Sequence, residues 1–254
     1  MKVLTFANQK GGVGKTTTAV SFASILSAKG YKTLLIDTDI QCNSSDTYRA
    51  VIEDTCTLYD LLLATPPCTL EEAIQHTEFG DIIASDPQLA VADSKLQGTP
   101  DGFFKLRDAI DKLEGYDYVI IDTNPTVNMM LYNALTVTDD IIIPITADRY
   151  AVGGLAELTN SMVTVKKYQN PKLNVAGMLL VRFNERYTFN KNVRESLSEL
   201  AAQIGTKLFD THIRESTKCH ESQGARMPLI HYAPKCTTEI DYEAAVDEYL
   251  GKKG

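Results

Sequence analysis

The sequence predicts a doubly wound α/β fold, a mostly parallel sheet with helices on both faces. Apolar runs without polar alternation recur along the chain, as strands buried on both faces require. Stretches with helical spacing separate them, so successive strands are joined by crossovers and run parallel. A glycine-rich segment, Lys10-Gly11-Gly12-Val13-Gly14-Lys15-Thr16-Thr17, leaves the first apolar run and opens the first helical stretch. With 254 residues, 44% hydrophobic and 23% charged, the chain suits one large α/β domain over 1–254 and is ample for a core.

In chain order, the first strand is read at Val3–Ala7 and the first helix at Thr16–Lys29. That helix carries Ala19, Phe22, Ala23 and Leu26 on one face and Ser21, Ser24 and Ser27 on another. Gly30 follows it, as a helix C-terminus favours. A strand is expected at Thr33–Ile36, helices at Thr57–Leu63 and Leu70–Thr77, and a strand at Asp81–Ala84. Helix Phe103–Leu113 then precedes strand Tyr118–Ile121. Helix Asn128–Leu135 precedes strand Asp140–Ile145, and helix Gly154–Gln169 precedes strand Asn174–Val181. Helix Asn190–Ile204, a short strand around Leu208–Ile213 and helix Glu239–Leu250 complete the chain. No linker, low-complexity tract or internal repeat interrupts this order. A ligand is expected beyond the carboxyl ends of the strands.

The glycine segment has the chemistry of a phosphate cradle. Glycines let successive N–H groups turn toward one anion, and a helix N-terminus adds unpaired N–H groups and a positive dipole end. Lys15 can reach the β- and γ-phosphates of a nucleotide, and the Thr16 hydroxyl can ligate Mg²⁺. The ordinary G-x-x-x-x-G-K-[ST] pattern wants glycine where Gln9 stands, and a second lysine, Lys10, sits beside Gly11. Two acidic strand ends follow. Asp37 and Asp39, in Ile36-Asp37-Thr38-Asp39, should emerge beside the loop and point the same way. Asp122 ends Tyr118-Val119-Ile120-Ile121. A carboxylate so placed can hold Mg²⁺, usually through water.

Composition sets bounds. The net charge is −8, so composition gives no support for a nucleic-acid surface, although it does not forbid a basic patch. The five cysteines form no C-x-x-C pair, which suggests reduced thiols; Cys219-His220 with His231 and Cys236 fits no common zinc spacing. No apolar run approaches the ~20 residues that span a bilayer. Met1-Lys2 leads straight into a strand and is not a signal peptide, so a cytoplasmic location is expected.

The two-lysine loop resembles the deviant P-loop of the ParA/MinD family of ATPases. Asn8-Gln9-Lys10-Gly11-Gly12 is similar to the family's loop entry. Asp37-Thr38-Asp39-Ile40-Gln41 is similar to its D-x-D-P-Q segment, with Ile40 in place of proline. Thr57-Leu58-Tyr59-Asp60-Leu61-Leu62 resembles T-L-Y-D-[VL]-L. Tyr116 through Thr123 resembles Y-D-Y-I-I-I-D-T, after which Asn124-Pro125 departs from P-P. Asn133-Ala134-Leu135, Ile143-Pro144, Ile213-Arg214-Glu215-Ser216-Thr217 and Tyr232-Ala233-Pro234-Lys235 extend the likeness to about Leu250.

The resemblance, closest to short ParA proteins, implies an ATP- and Mg²⁺-dependent homodimer switch. Residues 11–17 and Lys15 hold phosphates and Thr16 ligates Mg²⁺. Asp37 and Asp122 hold the Mg²⁺ shell, with Asp39 also beside the metal. Asp39 orients the attacking water, and Lys10 reaches the partner's nucleotide. Arg214 and Ser216 match the region lining the adenine. A ParB-like partner that stimulates slow turnover is implied, as is nonspecific DNA binding, with Lys218, Arg226 and Lys235 as candidates and Lys166, Lys167 and Lys172 as further basic residues. The acidic segment Asp241–Leu250 disfavours a membrane helix. The cysteines are not placed for an iron–sulfur cluster, and no helix-turn-helix precedes the loop. An organiser of protein cargo and a small-molecule ligase that shares the loop stay open as alternatives.

Overall fold

The computed structural model describes residues 1–148, 153–184 and 188–252. Its strands are β1 (Lys2–Phe6), β2 (Thr33–Asp37), β3 (Ile74–Thr77), β4 (Gly80–Ile83), β5 (Tyr118–Asp122), β6 (Asp140–Thr146), β7 (Asn174–Phe183) and β8 (Leu208–Arg214). They form one sheet in the order β3-β4-β2-β5-β1-β6-β7-β8. Every pairing is parallel except β3 with β4. The longer helices are α1 (Lys15–Ala28), α7 (Met129–Val137), α8 (Gly153–Tyr168), α9 (Thr188–Gln203), α10 (Thr217–Gly224) and α12 (Thr237–Tyr249). Shorter ones are α2 (Asn43–Thr47), α3 (Leu58–Leu63), α4 (Leu70–Ala73), α5 (Ala92–Leu96), α6 (Lys105–Ile110) and α11 (Leu229–Tyr232).

Both faces of the central strands are buried, which is why their sequences do not alternate. Leu4, Phe6, Leu35 and Ile120 pack under α1 and α12 with Phe22, Leu26, Tyr242 and Val246. Their neighbours Val3, Leu34, Ile36, Val119 and Ile121 face the other way, against Leu58, Leu106 and Met130. A third cluster joins Ile141, Ile143 and Ile145 to Leu158, Val165 and Leu180.

Two local expectations change. The stretch Leu70–Thr77 is helical only to Ala73. A capping box starts it, with Thr69 N–H donating to Glu72 and Glu72 N–H to the Thr69 hydroxyl. Ile74–Thr77 then turns back as an antiparallel edge strand on β4, because β4 offers an unpaired edge and β-branched Ile74 and Thr77 suit an extended backbone. The stretch Phe103–Leu113 keeps only Lys105–Ile110 as α-helix, since its end tightens into i→i+3 bonds at Lys112 and Leu113. On the serine face of α1, Ser21 and Ser24 are buried and Ser27 is exposed, with α12 packed beside α1 and against β8.

Candidate functional site

Strand β1 delivers the chain to the glycine loop. Asn8 anchors the entry by donating its amide to the Pro144 carbonyl at 2.7 Å and accepting Lys10 N–H at 2.9 Å. Val13 is buried and pins the loop to the core. Gly12 and Gly14 have φ of 73° and 77°, a left-handed conformation that glycine adopts without strain. A Cβ at Gly11 or Gly12 would meet nothing within 4 Å, so the loop encloses open space. Lys15 is buried and its ammonium donates to the Lys10 carbonyl at 3.2 Å, folding over that space. Burial lowers its pKa, against the pull of Asp122 and Asp39. The Lys10 ammonium is paired within the chain to Asp148, which also accepts the Thr146 hydroxyl.

The acidic strand ends arrive at the same level because β2 and β5 are in register, Asp37 opposite Asp122. Both carboxyls are fully buried, and desolvation raises both pKa values, with the charge of Asp39 adding to it at Asp37 and the charges of Asp37 and Asp39 at Asp122. Their surroundings then divide their roles. Asp37 accepts three hydrogen bonds: Asp39 N–H at 3.0 Å, Ser45 N–H at 2.9 Å and the Ser45 hydroxyl at 2.8 Å. It organises the turn that follows β2. Asp122 accepts the Ser44 hydroxyl at 2.8 Å on one oxygen. Its other oxygen is buried with no hydrogen-bond partner among the described residues. The Thr16 hydroxyl lies near enough to favour its charged form. A lone buried oxygen beside a threonine hydroxyl and a phosphate cradle suits Mg²⁺, which takes one or two carboxylates and fills its shell with water and phosphate. Asp39 is nearly buried, accepts Gln41 N–H at 3.0 Å, and faces the cavity.

That cavity, about 570 Å³, runs from the glycine loop to the segment after β8. Arg214 and Ser216 both line it. The Arg214 guanidinium forms a two-pronged pair with Asp241 at 2.6 and 2.8 Å, and the Ser216 hydroxyl caps α10 by accepting Lys218 N–H at 3.1 Å. Gln223 ties α10 to the loop by donating to the Thr17 hydroxyl at 3.1 Å.

Residues 1–175 match the family described as an AAA domain. The chromosome partitioning protein ParA of Caulobacter vibrioides (strain NA1000 / CB15N) is 31% identical across 100% of this chain and 95% of its own length. The chain belongs to the ParA-type family of P-loop ATPases. Among solved ParA-like folds, cobyrinic acid a,c-diamide synthase of Mycobacterium smegmatis, with bound ADP and magnesium, superposes with a TM-score of 0.84. It is 26% identical over 98% of this chain and 94% of its own. A putative plasmid partition protein of Borrelia burgdorferi, bound to AMPPNP, gives 0.82 at 26% identity over 98% of both chains. The ParA-type scaffold thus carries a protein named for amide synthesis as well as partition proteins.

Two of the basic candidates are paired to acids within the chain. Lys218 pairs with Glu221 at 2.6 Å and lies over the Tyr232 ring. Arg226 turns to Asp46 at 2.7 Å, on the α2 side. Lys235 is exposed in the turn between α11 and α12. Lys166 and Lys167 in the last turn of α8 and Lys172 in the turn that follows precede the amino end of β7. Sequence reasoning missed Ser44 and Ser45, whose hydroxyls hold the two buried acids. Their signal was present: small hydroxyl residues opening a helix just after an acidic turn.

Proposed function

We propose that this chain is an ATP-driven, dimerising partition ATPase that hydrolyses ATP with Mg²⁺ and moves or positions DNA cargo with a ParB-like partner. The observation that carries this is one assembly: a two-lysine glycine loop, Asp39 at its mouth and the open oxygen of Asp122 behind it. Backbone N–H groups of residues 11–17 and the Lys15 ammonium hold the phosphates. Burying Lys15 gives its charge more effect on a phosphate than it would have in water. Thr16 and Asp122 hold the Mg²⁺ shell, and Asp37 stiffens the turn behind it. Bound there, Mg²⁺ neutralises charge developing on the phosphates. Asp39 orients the attacking water. Arg214 and Ser216 form the base-side wall. Lys10 leaves Asp148 and reaches the partner's phosphates, where it stabilises transition-state charge.

Light scattering with ATP and Mg²⁺ tests the dimer. Asp39→Ala, which keeps the phosphate cradle but loses water orientation, is expected to accumulate as a dimer. Lys15→Ala is expected to stay monomeric. An Asp39→Ala protein that remains monomeric at saturating ATP overturns this reading.

The pairing of Lys218 and Arg226 to acids favours a second reading, in which an ATP-switched dimer positions protein cargo without contacting DNA. Absence of duplex binding by the ATP-bound dimer at ~50 mM salt selects it.

A further inference from the structure

We propose that Ser85 is a positioning residue for ATP hydrolysis, holding the Asp39 backbone so that its carboxylate aims at the attacking water. Ser85 has this role only if Asp39 orients that water, as proposed. Ser85 follows β4, which pairs in parallel with β2, Ile83 opposite Ile36. The chains leaving the two strands therefore run side by side, and Ser85 reaches the turn that carries Asp37 and Asp39. A ring of hydrogen bonds closes there. The Ser85 hydroxyl donates to the Asp39 carbonyl at 2.7 Å, and the Ser85 N–H donates to the Ser45 hydroxyl oxygen at 2.9 Å. That hydroxyl donates to one oxygen of Asp37 at 2.8 Å, and the other oxygen accepts Asp39 N–H at 3.0 Å. Asp39 is thus gripped at both its N–H and its C=O.

Asp37, Ser45 and Ser85 are fully buried, so bulk water does not replace a bond that the ring loses. The Asp39 carbonyl also accepts Cys42 N–H at 2.9 Å, and its carboxylate accepts Gln41 N–H at 3.0 Å. Those donors belong to the same turn and move with it, whereas Ser85 ties the turn to the end of another strand. Asp39 lines the cavity, and Ser85 is buried outside its wall. Ser85 therefore acts through Asp39 and not on the nucleotide. Removing its hydroxyl leaves the glycine loop, Lys15 and Thr16 intact and frees one side of the Asp39 peptide. A carboxylate displaced by a fraction of an ångström loses rate more than affinity, because water orientation acts on the transition state.

The test compares the full wild-type chain with Ser85→Ala, Ser85→Thr and Asp39→Ala. Single-turnover phosphate release from ATP with Mg²⁺ gives the rate, and calorimetry with a nonhydrolysable ATP analogue gives the affinity. Ser85→Ala is expected to slow release about tenfold and to keep analogue affinity within about twofold. Ser85→Thr keeps the donor and is expected to restore the rate to within about threefold of wild type. Equal losses of rate and affinity in Ser85→Ala would mark a merely structural residue and overturn the proposal. A Ser85→Thr chain as slow as Ser85→Ala would also overturn it, because the hydroxyl would then not be what acts. If Asp39→Ala is slow and Ser85→Ala runs at the wild-type rate, the role of Ser85 falls and that of Asp39 stands. A wild-type rate in Asp39→Ala removes the role of Asp39 itself, and that of Ser85 with it.

Discussion

Lys15, Asp122 and Glu239 show how single residues carry charge into this interior. Lys15 stays beside Asp122 and Asp39, whose charges offset part of its desolvation. Asp122 keeps one oxygen unmatched at the site where a cation would complete it. Glu239, in the first turn of α12, has both oxygens buried without a hydrogen-bond partner among the described residues. Burial, then Glu243, pushes it from 4.5 up to about 7. The folded state therefore binds this proton more tightly than the unfolded chain. Its contribution is intact below 4.5 and is lost as pH rises through about 7. Glu239→Gln should remove that loss, worth at most about 3 kcal/mol above the window. Thermal unfolding from acid to mildly alkaline pH checks this; equal slopes for variant and wild type would contradict it. At the reaction itself, Asp39→Ala should lower turnover by roughly 10²–10⁴-fold and leave ATP affinity nearly unchanged, since water orientation acts on the transition state. Steady-state rates beside calorimetric binding separate the two effects.

Two elements decide the shape of the cavity. Helix α1 bonds the sheet to the C-terminal helix through aromatic edges: Phe22 meets Phe6 at 5.0 Å and Tyr249 at 6.3 Å. Phe22→Ala leaves a void at that junction and should cost about 3–5 kcal/mol, read from the denaturant midpoint. The loop between α10 and α11 is held against α2 by two reciprocal arginines. Arg49 donates to the carbonyls of Arg226 and Ala225 at 3.0 and 3.3 Å and pairs with Glu78, while Arg226 pairs with Asp46. Met227 and Pro228, which follow, wall the cavity. Arg49→Gln should loosen that wall and weaken binding of a nonhydrolysable ATP analogue about tenfold, or about 1.4 kcal/mol. An unchanged dissociation constant would show that the wall holds without the clamp.

For the whole molecule, the proposed dimer turns on Lys10. Paired to Asp148 in the single chain, it must exchange one anion for another to serve a second subunit. Lys10→Ala should therefore lose both hydrolysis and cooperative dimerisation, and a rate equal to wild type would leave Lys10 an ordinary loop residue. The DNA surface is the other molecular-scale question, in a chain with a net charge of −8. Lys235→Glu should lower duplex affinity equally across sequences and reduce the slope of log affinity against log salt by about 1, without changing the DNA-free ATPase rate. Fluorescence anisotropy over a salt series reads this.

The local signals in the chain determined the parallel strands, the glycine loop and the acids that end β2 and β5. Each depends on near neighbours: an unbroken apolar run, glycines that permit positive φ, an acid closing a buried strand. What they could not carry was decided by contacts between distant segments. Ile74–Thr77 became a strand because β4 offered an open edge. Ser21 and Ser24 were buried, and Ser27 left exposed, where α12 packed beside α1. Asp37 and Asp122 came to different states because Ser45 and Ser44 reached them from α2. Arg226, read along the chain as a basic surface residue, turned to Asp46 because the fold brought α2 beside it. Pairing energy, burial and the partners of a charge depend on what arrives from elsewhere in the chain, and only the tertiary structure specifies that.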